Sequence, residues 1–324
     1  MASNIHRIEL PLGIMFPTVN CYIIPGAQLT LIDCGFRTEE AWDVFQLKLK
    51  ELGYQVADIE QVIITHEHED HIGLLSLILA HSDAVIRAPK MIEEWFKQPH
   101  VINKRYQEFT KNIISTLGLP KEKLQQSYQY LEYAKAVDPV SEMNRFEFYE
   151  AGDTLRFGER DWEVLSTPGH CLSQMVFHQQ EENWLLGSDM LLPITPMPII
   201  EPVPDQPGKS TRALKLLLHS FDRLKTFDIQ LVYPGHGPAF PNANEVIDRQ
   251  LTRIQMRKEE CFDKIVAGAA TPFEICQQMY PHQIIPPDFS GLMMILGYTD
   301  LLEEEGRVSR RVDEIGQLFF SFRS

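Results

Sequence analysis

The sequence lacks the paired cysteine motifs that mark zinc knuckles and disulfide frameworks. Its five cysteines, Cys21, Cys34, Cys171, Cys261 and Cys276, are odd in number and include no C-x-x-C pair. Such spacing indicates neither a disulfide-linked fold nor a structural zinc site. Because free thiols persist in reducing compartments, the sequence predicts a cytoplasmic protein.

Long apolar runs are also missing. Residues 1–7 contain no apolar segment of the kind that a signal peptide requires. No later run approaches the roughly 20 apolar residues that span a bilayer. We therefore expect neither secretion by a signal peptide nor an association with membranes.

Positive charge is scarce. The chain has 30 Lys and Arg residues against 45 Asp and Glu residues, a formal net charge of -15. A field of this sign repels polyanions and argues against tight, non-specific binding to nucleic acid. It does not exclude a nuclease, since bound metals can supply local positive charge. We expect a small-molecule substrate.

Strand and helix patterns alternate through most of the chain and predict an α/β fold. A helix predicted over 39–52 follows two strands that are joined by a tight turn. Another helix, predicted over 73–81, lies between strands. Predicted strands cover 5–10, 20–24, 29–33, 62–64, 84–88, 145–149, 154–157, 162–167, 173–178, 183–186 and 229–233.

Two segments interrupt this alternation. Residues 91–136 carry an aromatic-rich helical pattern and little strand signal, which predicts a helical insertion. It either packs onto the core or covers the site as a lid. Residues 190–204 are rich in proline and apolar side chains, and proline bars them from regular helix and from a central strand. This Pro-rich segment is either a wall of a substrate pocket or a loop buried against the insertion.

The C-terminal part differs in kind. Thr271 and Glu274 predict a capping box at the start of a helix. Helices followed by a terminal hairpin are typical of a winged-helix module, so we predict a catalytic domain over 1–250 and a small domain over 251–324. Residues 262–324 hold nine acidic and five basic side chains. Since a DNA-reading module should be basic, this balance favours packing or homodimer formation.

The most informative stretch follows the predicted strand over 62–64. It places His66, His68, Asp70 and His71 within six residues. His66 and His68 alternate along extended backbone and can reach one metal ion, whereas Asp70 and His71 lie further on and can reach a second. The stretch therefore predicts a metal site.

Three later strands also end in a histidine or an aspartate. They deliver His170, Asp189 and His236, each next to glycine or turn residues. Seven donors are too many for one tetrahedral ion and suit two ions with a bridging carboxylate and hydroxide. Imidazole and carboxylate donors favour zinc as the divalent metal, with iron or manganese as alternatives.

This combination resembles the metallo-β-lactamase superfamily. The H-x-H-x-D-H signature of that family stands at residues 66–71, and residues 31–35 match its L-I-D-x-G strand end. Further matches are Thr167-Pro168-Gly169-His170, Gly187-Ser188-Asp189 and Pro234-Gly235-His236-Gly237. The resemblance covers roughly residues 5–250. It implies an αββα four-layer sandwich of two mixed sheets, extended here by the insertion and the C-terminal domain.

The resemblance also implies a division of the donors. By it, His66, His68 and His170 hold the first metal, Asp70, His71 and His236 hold the second, and Asp189 bridges them. Asp33 is expected to orient a ligand rather than to bind metal. Glu67 and Glu69 alternate with the ligands and are expected to point away as solvated or structural carboxylates.

The predicted reaction is metal-dependent hydrolysis. A metal-bridging hydroxide attacks a thioester, ester or lactone carbonyl, and the catalytic Asp70 orients the hydroxide or shuttles its proton. Because Asp70 and Asp189 are both present, the bond is expected not to be a β-lactam. The ligand set is similar to that of glyoxalase II-like hydrolases and of β-lactamase-like endoribonucleases. A metal-dependent endoribonuclease or phosphodiesterase is therefore one alternative, and a mono-iron sulfur dioxygenase is the other.

Overall fold

Two six-stranded sheets face one another at the centre of the protein. The structure is a computed structural model that describes residues 4–12, 17–133, 142–204, 206, 209–286 and 288–323. In spatial order the first sheet contains β1 (His6–Pro11), β2 (Thr18–Ile24), β3 (Thr30–Ile32), β4 (Gln61–Ile63), β5 (Val85–Pro89) and β6 (Phe146–Tyr149). The second contains β12 (Phe240–Pro241), β11 (Leu231–Pro234), β10 (Trp184–Ser188), β9 (Met175–Gln179), β8 (Arg160–Ser166) and β7 (Thr154–Phe157). Both sheets have parallel and antiparallel pairs, which confirms the prediction of two mixed sheets.

The two sheets share a buried apolar core. Ile32 and Ile63 of the first sheet belong to the same buried cluster as Trp162 and Phe177 of the second. Phe157 stacks on Trp162 with ring centroids 4.9 Å apart. Inward-facing aromatic and β-branched side chains of this kind supply most of the area that sheet-on-sheet packing buries.

Helices cover both outer faces and complete the four predicted layers. Phe45 packs in the cluster beneath the first sheet, and Phe221 and Ile247 pack in the cluster beneath the second. The helices are α1 (Glu39–Glu51), α2 (Glu69–Ile72), α3 (Leu75–His81), α4 (Glu93–Lys97), α5 (Pro99–Thr116), α6 (Lys121–Tyr133), α7 (Ala213–Leu224), α8 (Ala243–Val266), α9 (Pro272–Met279) and α10 (Ser290–Glu304). No described helix combines the length and apolar character that crossing a bilayer requires.

The predicted insertion is helical from α4 to the end of α6, and residues 134–136 of that prediction lie outside the described residues. Its α5–α6 turn packs on the C-terminal helices. The Phe273 amide donates to the carbonyl of Leu117 at 2.9 Å. A Cβ on Gly118, whose φ is 78°, would lie 2.7 Å from Thr271 Cβ. The insertion and the C-terminal helices therefore form one connected layer.

The capping box that the sequence predicts at α9 is confirmed, since the Thr271 side chain accepts from Glu274 N and Glu274 accepts from Thr271 N. The terminal hairpin, also predicted, consists of β13 (Val308–Val312) and β14 (Leu318–Phe322). Helix α8 continues through residue 250 without a break. The domain boundary at that position and the winged-helix resemblance stay predictions.

Truncation of Phe177 tests the inter-sheet core. Phe177→Ala removes a fully buried ring and leaves a cavity, so we expect the free energy of unfolding to fall by about 3–5 kcal/mol. The matched control is Phe322→Ala, whose ring is 50% exposed and should cost less than about 1 kcal/mol. Urea unfolding of both variants measures the difference, and equal losses would contradict this account of the core.

Candidate metal centre

The structure brings all seven predicted donor residues together at one edge of the sandwich. His66 and His68 follow β4, and Asp70 and His71 lie on the short helix α2, which interrupts the extended backbone that the sequence suggested. The other three donors follow β8, β10 and β11 and are His170, Asp189 and His236. Rigid strands thus fix the origin of most donors.

The loops that carry the later donors depend on two close approaches of backbone. A Cβ on Gly169, whose φ is 143°, would lie 2.4 Å from Leu217 Cα. A Cβ on Gly235 would lie 2.0 Å from Asp189 Oδ1. A larger residue at either position would displace the neighbouring donor. Glycine is therefore a steric requirement of the site at both positions.

One group of donors contains three imidazoles. His66 Nε2 lies 2.9 Å from His68 Nδ1, and His170 Nε2 lies 2.8 Å from the same His68 atom. Nitrogens that bind a tetrahedral ion at about 2.0–2.1 Å are about 3.3 Å apart. The three nitrogens thus have nearly the spacing that a single zinc ion needs.

A second group contains Asp70, His71 and His236. His236 Nε2 lies 3.4 Å from Asp70 Oδ2, and His71 Nε2 lies 3.9 Å from the same oxygen. Asp189 stands between the two groups. Its Oδ1 is 3.3 Å from His71 Nε2, and its Oδ2 is 3.3 Å from His236 Nε2 and 3.5 Å from His170 Nε2.

The outward ring nitrogens have partners that set the tautomers. His71 Nδ1 donates to Asp33 Oδ2 at 2.7 Å, and Asp33 also accepts from the amide and hydroxyl of Thr65. His170 Nδ1 donates to the carbonyl of Met197 at 2.9 Å, and His236 Nδ1 donates to that of Thr18 at 2.8 Å. Each bond leaves an Nε2 lone pair facing the shared centre, as metal-binding histidines require.

Within the described part of the chain, two buried atoms at this centre lack hydrogen-bond partners. They are His71 Nε2 and Asp189 Oδ1, which lie near each other but not in hydrogen-bonding geometry. Buried polar atoms rarely stay unpaired because their desolvation is not repaid. A metal ion that binds the lone pairs of both atoms would satisfy them. The residues present therefore fit a divalent metal.

The electrostatics of the site also fit a cation. Burial, together with His71 and His68, lowers the pKa of His66 well below its usual range, and burial lowers that of His68 to about 3. These imidazoles are therefore neutral, the form that binds metal. Burial opposes the charged form of His236, but Asp189 outweighs it and raises the pKa of that imidazole to about 10. The proton that His236 carries lies where a metal cation can bind instead.

The sequence model of the metallo-beta-lactamase superfamily matches residues 15–236. The chain belongs to this superfamily. The match spans every donor and all strands of the two sheets except β1 and β12, and proteins of the superfamily typically bind divalent metals.

Similar proteins agree with this membership. The probable metallo-hydrolase YqjP of Bacillus subtilis is 27% identical over 313 residues, which are 95% of this chain and 94% of that protein. A metallo-beta-lactamase family protein from Thermus thermophilus has a TM-score of 0.76 at 22% identity, with 99% of both chains covered. A beta-lactamase domain protein from Burkholderia ambifaria has a TM-score of 0.76 at 20% identity, with 98% of this chain and 92% of that chain covered. Both of these solved structures have the same fold as this chain.

Sequence reasoning missed a cluster of carboxylates behind the donors. Glu67 is buried rather than solvated, and its carboxylate accepts from Ser173 Oγ. Glu201 of the Pro-rich segment accepts from Leu172 N at 2.5 Å and from Tyr106 Oη of α5 at 3.2 Å. These bonds tie the His170 loop to the insertion. The partners lie 29 and 95 positions from Glu201 along the chain, so no local sequence pattern indicates these hydrogen bonds.

An aromatic pair joins the insertion to the C-terminal part. Tyr130 of α6 contacts Phe289, just before α10, with ring centroids 6.2 Å apart. Burial and then the charge of Glu69, the residue before Asp70, raise the pKa of Tyr130. The pair therefore supplies an apolar surface where the insertion and the C-terminal part meet.

Glu201 gives a prediction about pH. Burial and then the charge of Glu67 raise its pKa from 4.5 to about 8. Between these two pKa values the folded protein binds more protons than the unfolded chain. This group therefore makes the free energy of unfolding fall as pH rises from 4.5 to about 8, by at most about 1.4 kcal/mol per pH unit. Glu201→Gln should show a shallower decline in urea unfolding between pH 4.5 and 8.

The control for this measurement is Glu94→Gln, an exposed carboxyl that lines the same 250 Å³ cavity as Glu67 and Glu201. The Glu94 variant should show the same change in the free energy of unfolding per pH unit as the unchanged protein. The same slope in the Glu201 variant would contradict the raised pKa.

Proposed function

We propose that this protein is a dinuclear-metal-dependent hydrolase that cleaves a thioester, ester or lactone of a small, partly apolar substrate. The observation that carries the proposal is the convergence of seven histidine and aspartate donors in two groups with Asp189 between them. Superfamily membership supports it, as does similarity to a probable metallo-hydrolase.

We assign the donors according to their groups. His66, His68 and His170 would hold one ion, Asp70, His71 and His236 would hold the other, and Asp189, which lies between the groups, would serve both. Nitrogen and carboxylate donors without thiolate suit zinc, and also suit iron or manganese. The outward bonds of His71, His170 and His236 hold the rings for this task.

When bound, two divalent ions lower the pKa of coordinated water to near neutrality and polarise the oxygen of a substrate carbonyl. The protein contributes orientation and proton transfer. Asp70 is 19% exposed at its side chain, whereas that of Asp189 is 6% exposed, so substrate and water reach Asp70 more easily. Its carboxylate is the group that orients the attacking water and accepts its proton.

The surroundings favour an acyl substrate over a polynucleotide. Tyr130 and Phe289 supply an aromatic surface, which we place on the side of Asp70 because the charge of the adjacent Glu69 acts on Tyr130. The Pro-rich segment lies beside His170 through the Met197 contact. The net charge of -15 repels polyanions. A small molecule with an apolar portion next to its scissile carbonyl suits such a site.

Metal content tests the dinuclear centre. The purified protein should hold two equivalents of zinc by elemental analysis. Asp189→Ala removes the carboxylate that faces both groups and should hold at most one. The control is Asp161→Ala, which removes an exposed partner of Arg156 and should keep both equivalents. One equivalent of iron with oxygen uptake would instead support the dioxygenase alternative.

Catalysis tests the role of Asp70. The metal-loaded protein should hydrolyse members of a panel of thioesters, esters and lactones. Asp70→Asn keeps the shape of the side chain but removes its basicity, so kcat should fall by about 10²- to 10⁴-fold. Steady-state kinetics at matched metal content measure this loss. Cleavage of single-stranded RNA that is metal-dependent and absent from the variant, with no acyl hydrolysis, would replace the proposal by the nuclease alternative.

A further inference from the structure

A small cavity lies between the Pro-rich segment and the C-terminal helices. Its volume is about 170 Å³, and its walls include Met197, Arg253 and Arg257 of α8, and Tyr280 and Ser290 of the C-terminal part. The carbonyl of Met197 is also the acceptor for His170 Nδ1. One residue therefore forms part of the cavity wall and supports a proposed metal ligand.

The charge of this cavity is opposite to that of the chain. Two arginines line it, and its walls contain no carboxylate among the described residues, although acidic residues outnumber basic ones by 45 to 30 overall. Arg253 makes no ion pair or hydrogen bond within the described part of the chain. Thr195 Oγ1, which also belongs to the wall, is buried and has no hydrogen-bond partner among the described residues. The cavity thus offers a cation and a hydroxyl to a ligand.

The second arginine is held in place. Arg257 lies over the ring of Tyr280, 4.5 Å from its centroid, and bonds to Glu260 and to the carbonyl of Met279. Tyr280 is itself packed on Gly291 of α10, where an added Cβ would lie 2.9 Å from its ring. The charge of Arg257 is thus already paired with Glu260, and Arg253 is the guanidinium of the cavity that is open to a ligand.

We propose that this cavity, the arginine pocket, binds a carboxylate or phosphate at the end of the substrate that is cleaved at the metal centre. The inference rests on the proposed hydrolase function. Arginine recognises both oxyanions by paired hydrogen bonds. A volume of 170 Å³ is below the roughly 300–1,000 Å³ of sites that enclose a whole ligand, so the pocket holds only one end.

The neighbouring aromatic pair fits the same substrate. Phe289, which contacts Tyr130, directly precedes Ser290 of the pocket wall. The apolar surface of this pair therefore adjoins the arginine pocket. A substrate with an anionic end, an apolar middle and a reactive acyl bond matches these three features.

The first test compares two matched thioesters, one with a terminal carboxylate and one with the corresponding carboxamide. Arg253→Gln should raise KM for the carboxylate by about 10- to 100-fold and leave kcat within about twofold. KM for the carboxamide should not change. Arg249→Gln is the control, because Arg249 lies one turn earlier on α8, contacts Pro193 and stays outside the cavity.

The second test does not require turnover. Propionate and inorganic phosphate are titrated into the metal-loaded protein by calorimetry. Affinity for at least one of them should fall about 10-fold or more in Arg253→Gln and stay unchanged in Arg249→Gln. Anions that bind only at the metals would give equal affinities in all three proteins and would overturn the inference.

The two tests separate the two proposals. Acyl hydrolysis with identical KM values in Arg253→Gln would leave the hydrolase and remove the arginine pocket. If no acyl substrate is hydrolysed, the hydrolase proposal fails, and Arg253-dependent anion binding alone decides whether the pocket is an anion site.

Discussion

The rest of the structure depends on keeping the seven donors close together around one buried space. Three ring nitrogens lie 2.8–2.9 Å from their neighbours, and two carboxylates face the same space. Side chains on flexible loops would lose this spacing. The two sheets prevent that, because their packed inter-sheet core fixes the strand ends from which the donors project. The core thus supplies the rigidity that the site needs.

The outward hydrogen bonds fix the orientation of the imidazole rings. Their acceptors belong to three separate parts of the chain: Asp33 after β3, Thr18 at the start of β2 and Met197 in the Pro-rich segment. Each imidazole is therefore clamped from outside the donor cluster. A change in any acceptor would rotate a ring without touching the atom that faces the centre.

Much of the fold and the donor set could be predicted from the sequence, because both have local signatures. The alternation of strands and helices indicated the α/β class, the family resemblance implied the two mixed sheets, and a short spacing gathered His66 to His71. The sequence could not reveal partners that meet only in the folded chain. For Glu67 the sequence left a solvated and a structural carboxylate open, because its hydrogen-bond partner Ser173 lies 106 positions away. Likewise, strand β12 has only two residues, too few for a periodic pattern.

The close fit of Gly118 against Thr271 has a consequence for how this protein can diversify. Most donors follow sheet strands, whereas most of the proposed arginine pocket lies on helices of the C-terminal part, which the insertion braces through this fit. Substitutions on those helices away from the Tyr106–Glu201 and Met197 contacts can alter what is recognised and leave the donor frame intact. Selectivity can thus change largely independently of the chemistry within one chain.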